Sequence, residues 1–303
     1  MDKRTLAIFA ALGAAIIYGL THTIAKSVIP HYVQPFGFIL LRVLGAGILF
    51  WLISFWGPKE KIATSDWLRI LACSLFGMTI NMLMYFKGLS LSTPINSSVI
   101  ITIAPILVML FSAFLINEKI TWLKTTGIFF GLVGALSLIL FGAEIRQDAP
   151  NIPLGNTMFL INATSYSIYL VMVKPLTAKY HPLTLMKWLF LAALLFNFPV
   201  TISEFIEIQW STLPYDVIWK MLFVVVGTTF MTYLLNIYAM KQLAASTIGA
   251  FIYLQPLIAI FFAIVVGADA LNFIKLVAAI AVFIGVYLVS KKPKRITNQQ
   301  GAS

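Results

Sequence analysis

The sequence predicts an all-α fold: a polytopic membrane protein of ten transmembrane helices built from two inverted five-helix repeats. Three observations predict it: an apolar composition, ten long stretches without charge, and a repeat that relates the two halves of the chain. Of the 303 residues, 60% are hydrophobic and only 10% are charged, whereas roughly a quarter of the residues are charged in soluble domains. The apolar excess must therefore face lipid.

The uncharged stretches define the helices, because a membrane helix needs about 20 consecutive apolar residues. The predicted helices span residues 6–27, 34–56, 67–87, 94–115, 122–142, 154–174, 184–205, 217–240, 247–267 and 271–290. Turn residues such as Gly57, Pro58 and Pro150 lie between them. Tryptophans such as Trp56 and Trp122 lie at predicted helix ends, where an indole ring favours the membrane interface.

The distribution of basic residues predicts the orientation. If the N-terminus is cytoplasmic, alternation of ten helices places fifteen Lys and Arg residues on the cytoplasmic side and five on the other, with Arg42 inside a helix. Cytoplasmic loops of integral membrane proteins show this excess. We therefore expect a multi-pass protein of a bacterial inner (cytoplasmic) membrane with both termini in the cytoplasm.

The repeat becomes visible when the sequence is shifted against itself by 151 residues. The shift superposes Pro105 on Pro256, Phe111 on Phe262, Glu118 on Asp269, Lys124 on Lys275 and Gly134 on Gly285. A shift of 148 places Tyr18 on Tyr166 and Lys26 on Lys174. The predicted repeats are residues 1–143 and 154–290, with a loop at 144–153 and a basic cytoplasmic tail at 291–303. Because five is odd, the second repeat enters the membrane from the opposite side, as in many secondary carriers.

The order of these residues resembles a known family. The resemblance rests on Tyr18-Gly19 followed by Lys26, on Pro35 and Arg42, on Gly88-Leu89, and on Pro105, Glu118, Gly127 and Gly134. In this order and spacing they resemble the drug/metabolite transporter superfamily, specifically its EamA-type members with ten helices in two repeats. The second half departs from the pattern at Asp269 and Ala278. The resemblance implies transport of small metabolites or drugs, often export.

Polar groups within the predicted helices are the candidates for a substrate site, because in hydrocarbon they usually face a bundle interior or a wet cavity. Tyr18, His22 and Lys26 recur every four residues and so share one helix face. The predicted substrate-binding residues are Tyr18, His22, Asn81, Tyr85, Asn96, Asn162, Tyr166, Tyr233, Asn236 and Tyr253. The structural alternative is hydrogen bonding between helices, with Lys26 and Lys174 extending towards the membrane surface.

Two prolines, two acids and one arginine predict further features. Pro105 and Pro256 each remove a helical donor, so we expect kinks that either shape the pathway or merely fit the bundle. Glu118 and Asp269, at matching repeat positions, are predicted to be helix-end or gate residues. Arg42 has no carboxylate within one turn. We expect it to find a structural partner near the external surface, with substrate contact as the alternative.

Small residues predict where helices pack closely. Gly127, Gly131 and Gly134 share one face of the fifth predicted helix, and Ala278 and Gly285 repeat this face on the tenth. We expect these faces to pack within the monomer rather than to form a dimer seam.

Secondary transport of a small molecule by alternating access is the predicted function. A membrane-embedded enzyme would need chemistry that the sequence scarcely supplies, since it has neither a His-Glu-x-x-His motif nor paired carboxylates within a predicted helix. A passive channel would not need two exchanging halves. We expect membrane lipid around a monomer or weak dimer, with no cofactor, metal or nucleic acid. The candidate cavity groups are neutral, aromatic or basic, which disfavours a strongly cationic substrate.

Energy coupling is predicted from the positions of the titratable groups. Every acidic residue lies at a predicted helix end or in a loop, whereas proton-coupled carriers commonly bury a carboxylate within the membrane. His22 is then the sole buried group in the predicted helices that titrates near neutral pH. We therefore predict facilitated diffusion or exchange.

Overall fold

A computed structural model describes residues 2–92, 97, 100–142, 150–265 and 273–291. Its description excludes the side chains of residues 22, 23, 26, 138–142, 259, 260, 263–265 and 275. Within the described ranges, every regular element is helical.

The helices lie at the positions that the uncharged stretches predict. They are α1 Lys3–Lys26, α2 Pro35–Ser54, α3 Thr64–Leu91, α4 Ala104–Ile116, α5 Trp122–Gly142, α6 Ile152–Lys179, α7 Pro182–Ile206, α8 Tyr215–Met240, α9 at 245–265 and α10 Phe273–Ser290. In the described part of the chain, five helices are long and apolar enough to cross a membrane, namely α1, α2, α3, α7 and α8. The number of ten membrane crossings stays a prediction.

Several helices begin where proline or a capping side chain favours a start. α2 and α7 begin at Pro35 and Pro182, whose missing N–H groups would have no intrahelical partner at that position. The Asn151 side chain accepts a hydrogen bond from Leu154 N at 3.1 Å and caps α6.

The middle of α3 and the middle of α8 are π-helical, over Leu75–Ile80 and Val224–Met231. Thr79 and Thr229, 150 residues apart, occupy matching places in them. The Thr229 hydroxyl donates to Val224 O at 2.8 Å, five residues earlier, and the Thr79 hydroxyl lies 3.4 Å from Ser74 O, again five residues earlier. Both repeats therefore contain the same irregularity, which the sequence analysis does not predict.

The helical pattern is interrupted just before each of the two prolines, at residues 102–103 and at Phe251–Tyr253. α4 begins at Ala104, so Pro105 lies in its first turn. In α9 a 3-10 turn at Phe251–Tyr253 separates two α-helical pieces, and Pro256 lies in the first turn of the second piece. Each proline therefore lies in the first turn after an interruption of the helical pattern, and a role of these interruptions in the transport pathway stays a prediction.

The helix contacts follow the two repeats. α2 packs along α7 and α5 along α10, while α1 contacts α8 and α9, and α6 contacts α3 and α4. Exchanging α1–α5 with α6–α10 leaves this set of contacts unchanged. The two halves are therefore inverted repeats related by an approximate twofold axis.

The small-residue faces of α5 and α10 pack against each other within the chain, as predicted. A Cβ atom on Gly127 would lie 2.8 Å from Gly285 O, and one on Gly134 would lie 2.7 Å from Ala278 O. The two backbones approach so closely that a methyl group would not fit without a shift.

Two acids cap the helices of the α2–α7 pair from opposite ends. Glu60, in the loop after α2, accepts a hydrogen bond from His181 N just before α7 at 2.7 Å. Glu204, near the end of α7, accepts from Phe36 N at 2.6 Å and Gly37 N at 3.1 Å in the first turn of α2. Each acid thereby stabilises the electropositive start of the partner helix in the other repeat.

Candidate functional site

A cavity of about 100 Å³ lies between the two repeats. Its lining comes from α1, α2, α3, α6, α8 and α9 and from the start of α4. Six of the ten predicted substrate-binding residues line it: Tyr18, Asn81, Tyr85, Asn162, Tyr166 and Tyr233. Both repeats therefore contribute polar and aromatic groups to one cavity.

The other four predicted residues are not on the described wall of the cavity. The Asn96 position and the His22 side chain lie outside the described residues, as do Asp269 and the Lys26 side chain. Asn236 is buried away from the cavity. Tyr253 is fully buried with its ring against Gly131 of α5, and among the described residues its hydroxyl has no hydrogen-bond partner.

The cavity also includes residues that the pattern of polar groups in the sequence does not predict. Ile101 and Ile252 are 151 residues apart, as are Ala104 and Gln255, and all four line the cavity. These pairs lie at the start of α4 and at the break in α9. The repeat offset is the signal that could have found them, because residues at matching positions meet near the twofold axis.

Hydrogen bonds between helices hold the polar wall in place. Asn162 Nδ2 of α6 donates to Asn81 O of α3 at 2.8 Å. The Tyr233 hydroxyl of α8 donates to Gly77 O in the π-helical part of α3 at 2.9 Å. The site is therefore supported by side chains from several helices, which limits the conformations open to its donors and acceptors.

Arg42 lies on the cavity wall with its side chain 5% exposed. Its Nε donates to the Thr229 hydroxyl at 2.9 Å, and its guanidinium carbon lies 4.8 Å from the centre of the Phe86 ring. The three ion pairs found among the described residues lie elsewhere. Among the described residues, the structural partners of Arg42 are therefore the Thr229 hydroxyl and the Phe86 ring, and neither is an acid.

The π-helical part of α8 orients the partner of Arg42. Because the Thr229 hydroxyl donates its proton to Val224 O, a lone pair of its oxygen is left for Arg42 Nε. π-Helical turns inside α-helices occur frequently at functional sites.

Glu118 connects the two repeats at the predicted cytoplasmic face. It follows α4 directly after Asn117, whose φ of 52° ends the helix in the left-handed conformation. Its carboxylate accepts hydrogen bonds from Lys124 Nζ of α5 at 2.6 Å and from the Ser246 hydroxyl at the start of α9. Glu118 therefore lies just beyond the end of α4, fourteen residues after the cavity residue Ala104, and its role as a gate stays a prediction.

The Lys174 side chain binds the C-terminal end of α8. Its Nζ donates to Met240 O, the last carbonyl of α8. It does not line the cavity, which agrees with the structural alternative for this residue.

Comparisons with known proteins connect the whole chain to transporters. The sequence model described as the EamA-like transporter family matches residues 5–140 and again 153–291. An uncharacterized transporter of Archaeoglobus fulgidus is 25% identical over 277 residues, which are 91% of this chain and 95% of that protein. The uncharacterized transporter YyaM of Bacillus subtilis is 21% identical over 295 residues, 96% of each protein. A solved crystal structure with 19% identity has a TM-score of 0.75, covering 93% of this chain and 95% of that chain, and shares the fold. With both halves matched by the same family model, the chain belongs to the EamA-like transporter family.

Proposed function

We propose that this protein carries a small organic molecule across the membrane through the cavity between its repeats, as an exporter or exchanger that works by alternating access. The observation that supports this proposal is the makeup of the cavity wall. Matching residues of the two repeats, such as Ile101 and Ile252, meet there at the start of α4 and at the break in α9. When two inverted halves exchange their conformations, a site between them opens to each face of the membrane in turn.

Two tyrosines allow a matched test of the site. Tyr166 lines the cavity, whereas Tyr253 is buried against Gly131 outside it. The purified protein would be screened against a metabolite panel by thermal shift, since a molecule that binds the native state raises its stability. The molecules that bind would then be assayed for counterflow in proteoliposomes.

We expect Tyr166→Phe to weaken the apparent affinity for such a molecule several-fold, because a hydrogen-bonding group is lost from the cavity wall. Tyr253→Phe makes the same chemical change and should leave affinity and counterflow unchanged. Equal effects of both variants would contradict the proposed position of the site. A molecule that binds but never exchanges across the membrane would contradict the transport function.

We propose facilitated diffusion or exchange as the mode of transport, with His22 as the sole proton site. The support comes from the sequence, in which every acid lies at a predicted helix end or in a loop. Uptake into proteoliposomes under an imposed pH gradient tests this. Strong accumulation that persisted in His22→Gln would contradict it and would indicate a carboxylate as the coupling group.

A further inference from the structure

Arg42 is the one Lys or Arg residue among the described residues that line the cavity. Given the transport function proposed above, on which this inference rests, we propose that the Arg42 guanidinium binds a carboxylate group of the transported molecule. The substrate is then a small organic monoanion with an apolar or hydroxylated body.

The described environment of Arg42 lacks a counter-charge. Among the residues that the structure describes, its one hydrogen bond runs from Nε to Thr229, and the face of Phe86 contacts the guanidinium. Both partners are neutral, and an arginine cannot lose its proton in a protein. A buried, unpaired charge costs several kcal/mol in such surroundings. An anionic ligand in the cavity would supply the missing charge.

In the other repeat, an uncharged side chain donates to the matching π-helical threonine. Thr79, which matches Thr229, accepts a hydrogen bond from Asn197 Nδ2 of α7 at 3.1 Å. The same Nδ2 donates to Ala193 O at 2.8 Å, and Asn197 is fully buried outside the cavity. A neutral amide therefore suffices to hold the π-helical threonine, although Asn197 and Arg42 occupy different positions in their helices. The charge of Arg42 exceeds what the packing of α2 against α8 requires.

The cavity favours a monoanion such as a carboxylate over a dianion and over a zwitterion. One guanidinium balances one negative charge, and its planar set of donors matches the two oxygens of a carboxylate. In the described part of the wall, no Asp or Glu is present to receive an ammonium group. The aromatic and aliphatic groups Tyr18, Tyr166, Phe86 and Ile101 offer contact to an uncharged body of the substrate.

Two series of probes separate charge from shape. One series consists of phenylacetate, phenylacetamide and phenethylamine, and the other of butyrate, butyramide and butylamine. Each probe is titrated against the purified full-length protein by thermal shift, and each labelled probe is tested for counterflow in proteoliposomes. The variants are Arg42→Gln, which can still donate to Thr229, and Arg42→Lys, which keeps the charge and loses the planar fork. Lys187→Gln is the matched control, because it removes one positive charge beside Trp51 and Trp188, outside the cavity.

We expect the acids to bind the wild-type protein at least about tenfold more tightly than their amides, the range of a charge-assisted hydrogen bond. Arg42→Gln should abolish this preference, Arg42→Lys should retain part of it, and Lys187→Gln should retain it fully. Folding of each variant is checked by size exclusion. If Arg42→Gln does not fold, the test rests on Arg42→Lys. A smaller preference for acids over amides in Arg42→Lys supports the proposal, and an unchanged preference overturns it.

The outcomes distinguish this proposal from the transport function. If the wild-type protein binds neither acid more tightly than its amide, the proposed carboxylate site is wrong. It is also wrong if the preference for acids persists in Arg42→Gln. Counterflow of amides or amines without the acids would overturn the carboxylate site and leave the transport function standing. Arg42-dependent binding of acids without counterflow would support the carboxylate site and contradict the transport function.

Discussion

Two asparagines make similar hydrogen bonds between helices but differ in their relation to the cavity. Asn162 Nδ2 donates to Asn81 O and lines the cavity, whereas Asn197 bridges to Thr79 away from it. We expect Asn197→Ala to lower the free energy of unfolding by about 0.6–2 kcal/mol, the range measured for hydrogen bonds between membrane helices. Transport by the folded fraction should stay normal.

Asn162→Ala should instead raise the apparent substrate dissociation constant in the counterflow assay, because it removes an amide from the cavity wall. Thermal denaturation and counterflow of both variants check this pair of expectations. If Asn162→Ala changed stability alone and left affinity intact, the amide would be a structural bridge and not part of the site.

The short connection between α6 and α7 contains a group whose titration affects stability. His181 Nδ1 accepts a hydrogen bond from Leu183 N at 3.3 Å and caps α7. Partial burial and the neighbouring Lys241 lower the pKa of His181, while Glu60 opposes them. With a folded-state pKa below the unfolded value of about 6.5, the unfolded chain binds the proton more readily. The contribution of His181 is complete above about pH 6.5 and is lost as pH falls through that value towards the lower folded pKa.

His181→Asn keeps a capping acceptor that does not titrate in this range. We expect the difference in melting temperature between the wild type and this variant to shift in favour of the variant between pH 7.5 and 5. Thermal melts at closely spaced pH values provide the measurement. A difference that is independent of pH would show that His181 does not change its protonation on unfolding.

At the scale of elements, the contact between α5 and α10 limits what can replace its glycines. A Cβ atom on Gly285 would lie 2.5 Å from Gly131 N, a backbone atom that cannot move aside. We expect Gly285→Ala to destabilise the fold by about 1–3 kcal/mol, the cost of overpacking. Gly47→Ala is the matched control, because its nearest neighbour would be Phe190 Cβ at 3.9 Å. Melting temperatures that fall equally in both variants would contradict a special role for the α5–α10 contact.

The Glu118 contact is expected to keep the predicted cytoplasmic end of the cavity closed. Glu118→Gln removes the charge that Lys124 pairs with and weakens the link to Ser246. The population of the conformation that is open at the predicted cytoplasmic face should then increase, because a contact specific to the closed conformation has been weakened. We expect a cysteine at Ala104, in a Cys73→Ala background, to react faster with a maleimide from the predicted cytoplasmic side. An unchanged reaction rate would show that Glu118 does not hold this face shut.

Sequence patterns predict the helices better than the irregularities within them. Long uncharged stretches identify helices because lipid penalises charge at every position. The π-helical turns are accompanied by hydrogen bonds from Asn197 and Arg42, which lie in helices distant in the sequence. The break in α9 also affects Tyr253, which is predicted to line the cavity and lies outside its described wall. A 3-10 turn has fewer residues per turn, so the neighbouring Ile252 faces the cavity instead.

At the scale of the whole molecule, the orientation is open to a direct test. Gln209, between α7 and α8, and Lys241, after α8, are both exposed and are predicted to lie on opposite faces of the membrane. In a Cys73→Ala background, we expect an impermeant maleimide to label Gln209→Cys in intact cells and Lys241→Cys only after permeabilisation. The basic-residue excess predicts this result. Labelling of the Lys241→Cys site alone in intact cells would reverse the orientation.

The hydrogen bond between Arg42 and Thr229 joins residues that are 187 positions apart in the chain. At a synthesis rate of about 5–20 residues per second, Thr229 is made roughly 10–40 s after Arg42. During that time the helix that contains Arg42 must enter the membrane without its partner. An arginine at the centre of a helix opposes insertion by about 2.5–3.5 kcal/mol, which flanking Leu, Ile and Phe residues offset one by one. By this arithmetic the apolar residues of α2 also matter during biosynthesis, because they offset the cost of an unpaired charge in the nascent helix until Thr229 of α8 is made.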